Sequence, residues 1–262
     1  MDIQNVKGIA VYGTDCIADV SRGDDDNCTF VSAKEKYFNV QTDNNGLLTV
    51  TQKKGNIFYR IIMKRFEFKL ILPKHFVGRL RFKNKNGGIY IKDGGFSDIE
   101  LNTKNGKIEA ENISCAEFTL KMNNGSVSLK NITAADGVSV KCDNGNIKTE
   151  TIKAAAFSVS CRNVGLSVAD VKAQKIECST RNGTIDASAV DAPDLRLDTS
   201  NGKINALCAG VRDDYRLSLE TTHGAITVDG VPSKNVTDVG ANAKRRAVIS
   251  TSNGDIDVKF NN

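Results

Sequence analysis

The residues able to do chemistry are few and poorly placed for it. The chain has two histidines, His75 and His223, far apart in sequence. Its 7 cysteines are an odd number, with no C-x-x-C pair and no zinc spacing. No nucleophile motif, phosphate-binding loop or calcium nonapeptide occurs. Cleavage of a polysaccharide needs clustered carboxylates, or a calcium site with a basic residue beside it. The carboxylates read as outward-facing are Glu109, Glu111, Glu150, Asp186 and Asp198, and Lys92, Lys130 and Lys148 interrupt them. They form no convincing cluster on neighbouring turns of chain. The reading therefore assigns no catalytic, cofactor or metal residue and expects a protein that is not an enzyme. The Arg22–Gly23–Asp24 tripeptide merges into an acidic turn and is read as coincidence. One surface contact is nominated: Lys244, Arg245 and Arg246, within an insertion at 230–247 read as a loop.

What must position these side chains is a repeat. The phrase Asn-Gly-x-(Ile/Val) occurs at Asn86, Asn105, Asn124, Asn144, Asn182, Asn201 and Asn253, with variants at Asn45, Asn163 and His223. From Asn86 to Asn201 the intervals are 19, 19, 20, 19, 19 and 19 residues, followed by 22 and 30. A fixed period of this kind marks a stacked-repeat architecture.

Apolar residues alternate on both sides of each Asn. Six, four and two places before it stand Ile99, Leu101, Thr103, then Phe118, Leu120, Met122, then Val138, Val140, Cys142. The series continues with Phe157, Val159, Cys161, then Ile176, Cys178, Thr180, then Leu195, Leu197, Thr199. After the Asn, Ile108 and Ala110, Val127 and Leu129, and Ile185 and Ala187 fall at three and five places. Alternation with period two is strand behaviour. Inward parity is even before the Asn and odd after it, so a bend at the Gly must absorb a one-residue slip that would otherwise turn every side chain to the wrong face. The phrase is a corner to which the chain returns every ~19 residues, with windings ~4.8 Å apart. This predicts an all-β fold, a single-domain parallel β-solenoid (β-helix) with an irregular N-terminal β region. Stacked corners place the carboxamides of Asn86, Asn105, Asn124, Asn144, Asn163, Asn182, Asn201 and Asn253 one strand spacing apart, as a structural ladder. His223 is read as a ladder variant. "NVG" at 163 puts β-branched Val164 where Gly is expected, which predicts a different corner there. Cys142, Cys161 and Cys178 fall on inward positions, and the cysteines read as small hydrophobes.

Residues 1–85 are expected to form a cap and irregular coils with a hairpin turning near "KKGN", continuous with regular coils over 86–262. The net charge of +5 comes from 36 basic and 31 acidic residues that look scattered, which argues for no nucleic-acid partner. No transmembrane segment, basic n-region or apolar h-region is visible. The chain as it stands is expected in the cytoplasm with reduced thiols, or at the cell envelope if a leader or anchor was removed.

The order "FNVQTDNNGLLTV", "FKLILPKHF", "LRFKNKNGGIYIKD", then "NGKIEAENI", "NGSVSLKNI" and "NGNIKTETI" resembles a bacterial family of β-solenoid domains known as "putative adhesins", of unknown function. The likeness spans roughly residues 35–260. It implies a non-enzymatic scaffold or adhesion-type binding module, with a protein or glycan partner at the envelope. The alternatives are a self-assembling structural protein, its last coil "NGDIDVKFNN" leaving an edge open to another copy, and a polysaccharide-active β-helix enzyme.

Overall fold

The computed structural model describes residues 2–53, 66–240 and 243–261. The hairpin expected beyond Lys53 lies outside these residues. The chain is all-β, interrupted among the described residues by two short 3-10 turns, Glu35–Tyr37 and Arg212–Asp214. It divides into two compact units, Met1–Ser126 and Val127–Asn262.

In the first unit, Arg79–Gly95 pairs in parallel with the chain that begins at Asp98, and the register is 19 residues throughout: Leu80 opposite Ile99, Asn86 opposite Asn105, Ile91 opposite Ala110. The inward residues Leu80, Phe82, Ile99, Leu101, Ile108, Phe118 and Leu120 are all buried. At the corner, glycine is demanded by space as well as by backbone angle. Gly106 has φ +142°, and a Cβ there would lie 1.7 Å from the Gly87 carbonyl oxygen. No other residue lets backbones approach so closely. A second corner recurs seven residues after each Asn, at Asp93 (φ 54°) and Asn112 (φ 55°), where the Asn112 amide donates to the Asp93 carboxylate at 2.7 Å. Asn and Asp tolerate this left-handed conformation best after Gly.

Chain order and spatial order diverge in this unit. The first winding, Gly8–Tyr12 and Cys16–Arg22, lies between two later ones. Gly8–Tyr12 pairs in parallel with Leu47–Gln52 on one side and Arg79–Gly95 on the other, and Cys16–Arg22 with Phe66–Leu72 and Arg79–Gly95. The outermost strands are covered by antiparallel partners, Phe38–Thr42 on Leu47–Gln52 and Cys28–Val31 on Phe66–Leu72. Phenylalanines fill this end: Phe68 lies 5.4 Å from Phe30 and 5.3 Å from Phe38, ring centroid to ring centroid.

The second unit repeats the plan. Asp194–Asn201 pairs in parallel, at 19 residues, with 175–182, and Ile185–Asp191 with 166–172. Val138, Val140, Ile147, Phe157, Ile176, Leu195 and Leu197 are buried. Threonines two places before the corner turn inward, and each donates to a corner carbonyl of the preceding winding: Thr180 to Val164 and Thr199 to Gly183, both at 3.1 Å. A buried hydroxyl is thereby satisfied. Val164 is buried and lies outside the left-handed region, so the corner at 163 turns without a positive-φ residue in the glycine's place. Thr151, Asp170 and Ala189 continue the second corner at φ between 51° and 56°.

The last winding is interleaved. Arg245–Asn253 pairs with both Asp194–Asn201 and Tyr215–His223, and Ile256–Asn261 with Ile204–Ala209 and, through Ile256–Val258, with Ile226–Val228. This corrects the expectation that "NGDIDVKFNN" ends in an open edge. The outermost strands belong to 215–228, and within the insertion Val231–Ser233 and Val236–Val239 cover them in antiparallel fashion. The insertion read as a loop thus carries two short strands, and Arg245 begins a third.

Candidate functional site

Within the first unit the ladder starts from a carboxylate. Asn86 donates to Asp15 at 2.7 Å, Asn105 to Asn86 at 2.8 Å and Asn124 to Asn105 at 2.8 Å. In the second unit Asn163 donates to Asn144, Asn182 to Asn163, Asn201 to Asn182 and Asn253 to Asn201, all at 2.7–2.8 Å. The last step joins residues 52 apart in sequence because of the interleaved winding. His223 lies in register with Asn253. Each of these carboxamides donates to or accepts from its neighbour in the column, and these hydrogen bonds hold the stacked corners together.

All 7 cysteines are free. Burial pushes the thiols of Cys16, Cys28, Cys115, Cys161 and Cys208 up to about 12, and that of fully enclosed Cys178 further. The nucleophilic form of cysteine is the thiolate, so these groups are inert at neutral pH. Cys115 and Cys161 are only partly covered, unlike the other five.

Of the nominated basic residues, Lys244 and Arg246 are exposed, whereas Arg245 is folded back as a tether. Its guanidinium donates to Asp191 at 2.7 Å and to the Tyr215 hydroxyl at 3.2 Å, and that hydroxyl donates to the Ala209 carbonyl at 2.8 Å. The Arg245 guanidinium, above all other causes, holds the Asp191 carboxyl below its ordinary range.

A concave feature with mixed chemistry lies in the first unit, centred on Tyr90. Two recesses of about 650 and 430 Å3 share Ile17 and the Tyr90 ring. The larger is lined by Asp19, Glu67, Lys69, Lys92 and Glu111, with Val31 at its rim. The smaller reaches Asp15, Asn86 and Lys107. Gly88 makes room for the aromatic ring, since a Cβ there would fall 2.5 Å from Tyr90 Cε2. Lys107 meets Glu109 at 2.5 Å and Lys92 meets Glu111 at 3.7 Å, and all four side chains stay well exposed. Sequence reasoning named Lys92, Glu109 and Glu111 as outward but could not assemble the recess. Asp19 and Glu67 reach it only because residues 16–22 are interleaved between 66–72 and 89–92. Among the described residues no group of three or more His, Cys, Asp or Glu side chains is placed to hold a metal ion. The recess can stack a flat apolar face on Tyr90 and pair charges of both signs.

The fold and its corners define a β-solenoid of the stacked-repeat class. More specifically, the chain belongs to the Toastrack DUF4097 family, whose model matches residues 14–259. No protein of curated function matches it in sequence. Solved structures of similar fold include a "putative adhesin" from Parabacteroides distasonis, with 12% identity, TM-score 0.50, and coverage of 100% of this chain and 94% of that one. A "putative adhesin" from Bacteroides fragilis has 12% identity, TM-score 0.44 and the same coverage. A "putative cell adhesion protein" from Clostridium sporogenes has 11% identity, TM-score 0.22, and coverage of 100% and 97%. At such identity the first likeness speaks for the fold alone.

Proposed function

We propose that the protein is a non-enzymatic, adhesion-type β-solenoid module that presents its outward side-chain columns to a protein or glycan at the bacterial cell envelope. The observation that carries this reading is the covering of the outermost strands in each unit by antiparallel partners. Capped edges discourage strand addition between copies, so the outward faces are the surfaces left for recognition. The Parabacteroides distasonis structure of like fold carries the words "putative adhesin". The polysaccharide-cleaving alternative is weakened by its own candidates: a glycosidic general acid is held protonated in an apolar setting, and Glu109 and Glu111 stand in the open beside ammonium groups. No helix of the described residues is long and apolar enough to cross a membrane.

The test is a glycan array and a panel of envelope and matrix proteins, run with a polysaccharide cleavage screen and light scattering. Binding without product, by a monomer, is expected. Turnover of any polysaccharide that Glu109→Gln or Glu111→Gln abolishes would replace the adhesion reading with the enzymatic one, and filaments would replace it with self-assembly.

A further inference from the structure

The basic residues that look scattered along the chain are gathered by the 19-residue register of the first unit. One and three places before each corner Asn, side chains point outward. In this unit those positions hold Lys83 and Lys85, then Asn102 and Lys104, then Lys121 and Asn123, all exposed. Lys83 stands opposite Asn102, and the flanking pairs Asn84–Thr103 and Asn86–Asn105 set Lys85 beside Lys104. The Asn124–Asn105 hydrogen bond carries the register to Lys121 and Asn123. On the other side of Lys83 lies Tyr12, its direct partner in the parallel ladder and 45% exposed.

Four ammonium groups, two carboxamides and a phenol thus occupy one face. None of the seven forms a hydrogen bond or ion pair with a described residue. Two lysines of the neighbouring recess contrast with this: Lys107 and Lys92 are both ion-paired. Glu100, two places before Asn102, is already occupied by Arg81 at 3.1 Å. Strand geometry spaces the lysines by about 7 Å along a winding and about 5 Å between windings, on the scale of a sugar ring. The backbone beneath is locked, so no ordering cost falls on it during binding.

We propose that this face binds an acidic polysaccharide, a chain of uronic or sulfated sugars. The lysines pair its anionic groups, Asn102 and Asn123 hydrogen-bond its hydroxyls, and Tyr12 stacks on a ring. The inference rests on the reading of the protein as a binding module and names the ligand class and the face. Single-stranded nucleic acid is the poorer fit, since it is held by a succession of aromatic platforms and this face offers one. An anionic membrane is disfavoured because the face has no apolar side chain to insert.

The experiment is calorimetric titration of the full chain with polygalacturonate and dextran sulfate, with neutral dextran and a single-stranded oligothymidylate as comparators, at low and physiological salt. The face variant is Lys83→Gln/Lys85→Gln/Lys104→Gln/Lys121→Gln. The charge-matched control is Lys74→Gln/Lys153→Gln/Lys203→Gln/Lys234→Gln, at exposed sites elsewhere. An acidic polysaccharide is expected to bind, dextran not to, and affinity to fall with salt. The face variant should lose at least tenfold with an unchanged melting temperature, the control less than twofold, and Tyr12→Ala about threefold. Equal losses in both variants, or oligothymidylate binding as tightly with the same loss, would overturn the proposal. Failure of the acidic chains while another glycan or protein binds sinks the face but spares the adhesion reading. Failure of every ligand on the wider panel sinks both.

Discussion

The two units solve the same end problem with different materials. In each, the terminal stretch of chain lies one winding in from the edge: 8–22 between 47–72 and 79–95, and 245–261 between 194–209 and 215–228. The first unit seals this arrangement with stacked phenylalanines around Phe68. Among its described residues the second has one aromatic pair, Tyr215 on Phe260 at 5.1 Å, and it pins its terminal winding with the Arg245–Asp191–Tyr215 tether. The outward columns differ as well. Where the first unit carries Lys83, Lys85, Lys104 and Lys121, the second carries Lys141, Asp143, Ser160, Arg162, Ser179 and Arg181, and Asp143 is ion-paired with Arg162 at 3.5 Å. Inner columns and corners are dictated by stacking, while outer columns are free to specialise.

If the inner columns are equivalent, a buried charge should be equally ruinous in both. Leu120→Asp and Ile147→Asp place a carboxylate at sites that are 0% and 1% exposed. Each is expected to cost more than about 4 kcal/mol and to abolish the cooperative thermal transition. Lys121→Ser, next door, should shift it by less than about 0.5 kcal/mol. Similar melting temperatures for the two classes would show the inward assignment to be wrong.

The corner comparison comes next in size. Gly106→Ala and Gly202→Ala push a methyl group into a carbonyl oxygen, at 1.7 Å from Gly87 and 2.1 Å from Gly183, and should each cost about 3–4 kcal/mol in urea unfolding. Gly230→Ala, at φ +78° with nothing within 4 Å, isolates the backbone-angle penalty and should cost about 1 kcal/mol. Equal losses at all three positions would mean that close stacking does not select the glycines.

The smallest effect separates the two seals. Arg245→Gln removes a charge-assisted hydrogen bond and should cost about 1–2 kcal/mol at pH 7. The Asp191 carboxyl is held below its ordinary range in the folded chain, so its contribution is complete at neutral pH and is lost as the pH falls below that range, where the unfolded chain takes up its proton first. The gap between wild type and Arg245→Gln should close in acid. A gap that widened would contradict the tether.

The corners were legible because all but the one at 163 repeat a glycine, and a glycine required for space leaves no choice of residue. The second corner was half-written. Asp93, Asn112, Asn131 and Asp170 sit at its 19-residue positions, but Thr151 and Ala189 blur the column, and Asn112 and Asn131 pass for products of the first repeat. The interleaved ends were not legible. Pairing of 8–12 with 79–83 spans some seventy residues, and the alternating pattern of a strand says which face is inward and not which strand lies beside it. The recess at Tyr90 depends on that pairing, so it was hidden for the same reason. The lysine face was written plainly in the register, one and three places before each Asn, but is visible only when the windings are laid over one another.

Hydrogen exchange read by mass spectrometry on the intact protein tests the interleaving most directly. Strands paired on both sides open only with the whole domain. Residues 8–12 and 256–258 are therefore predicted to exchange as slowly as the central strand around 195–199, and more slowly than the covering strands 38–42 and 236–239. Terminal segments that exchange as fast as those covering strands would contradict the account, because chain order and spatial order would then coincide.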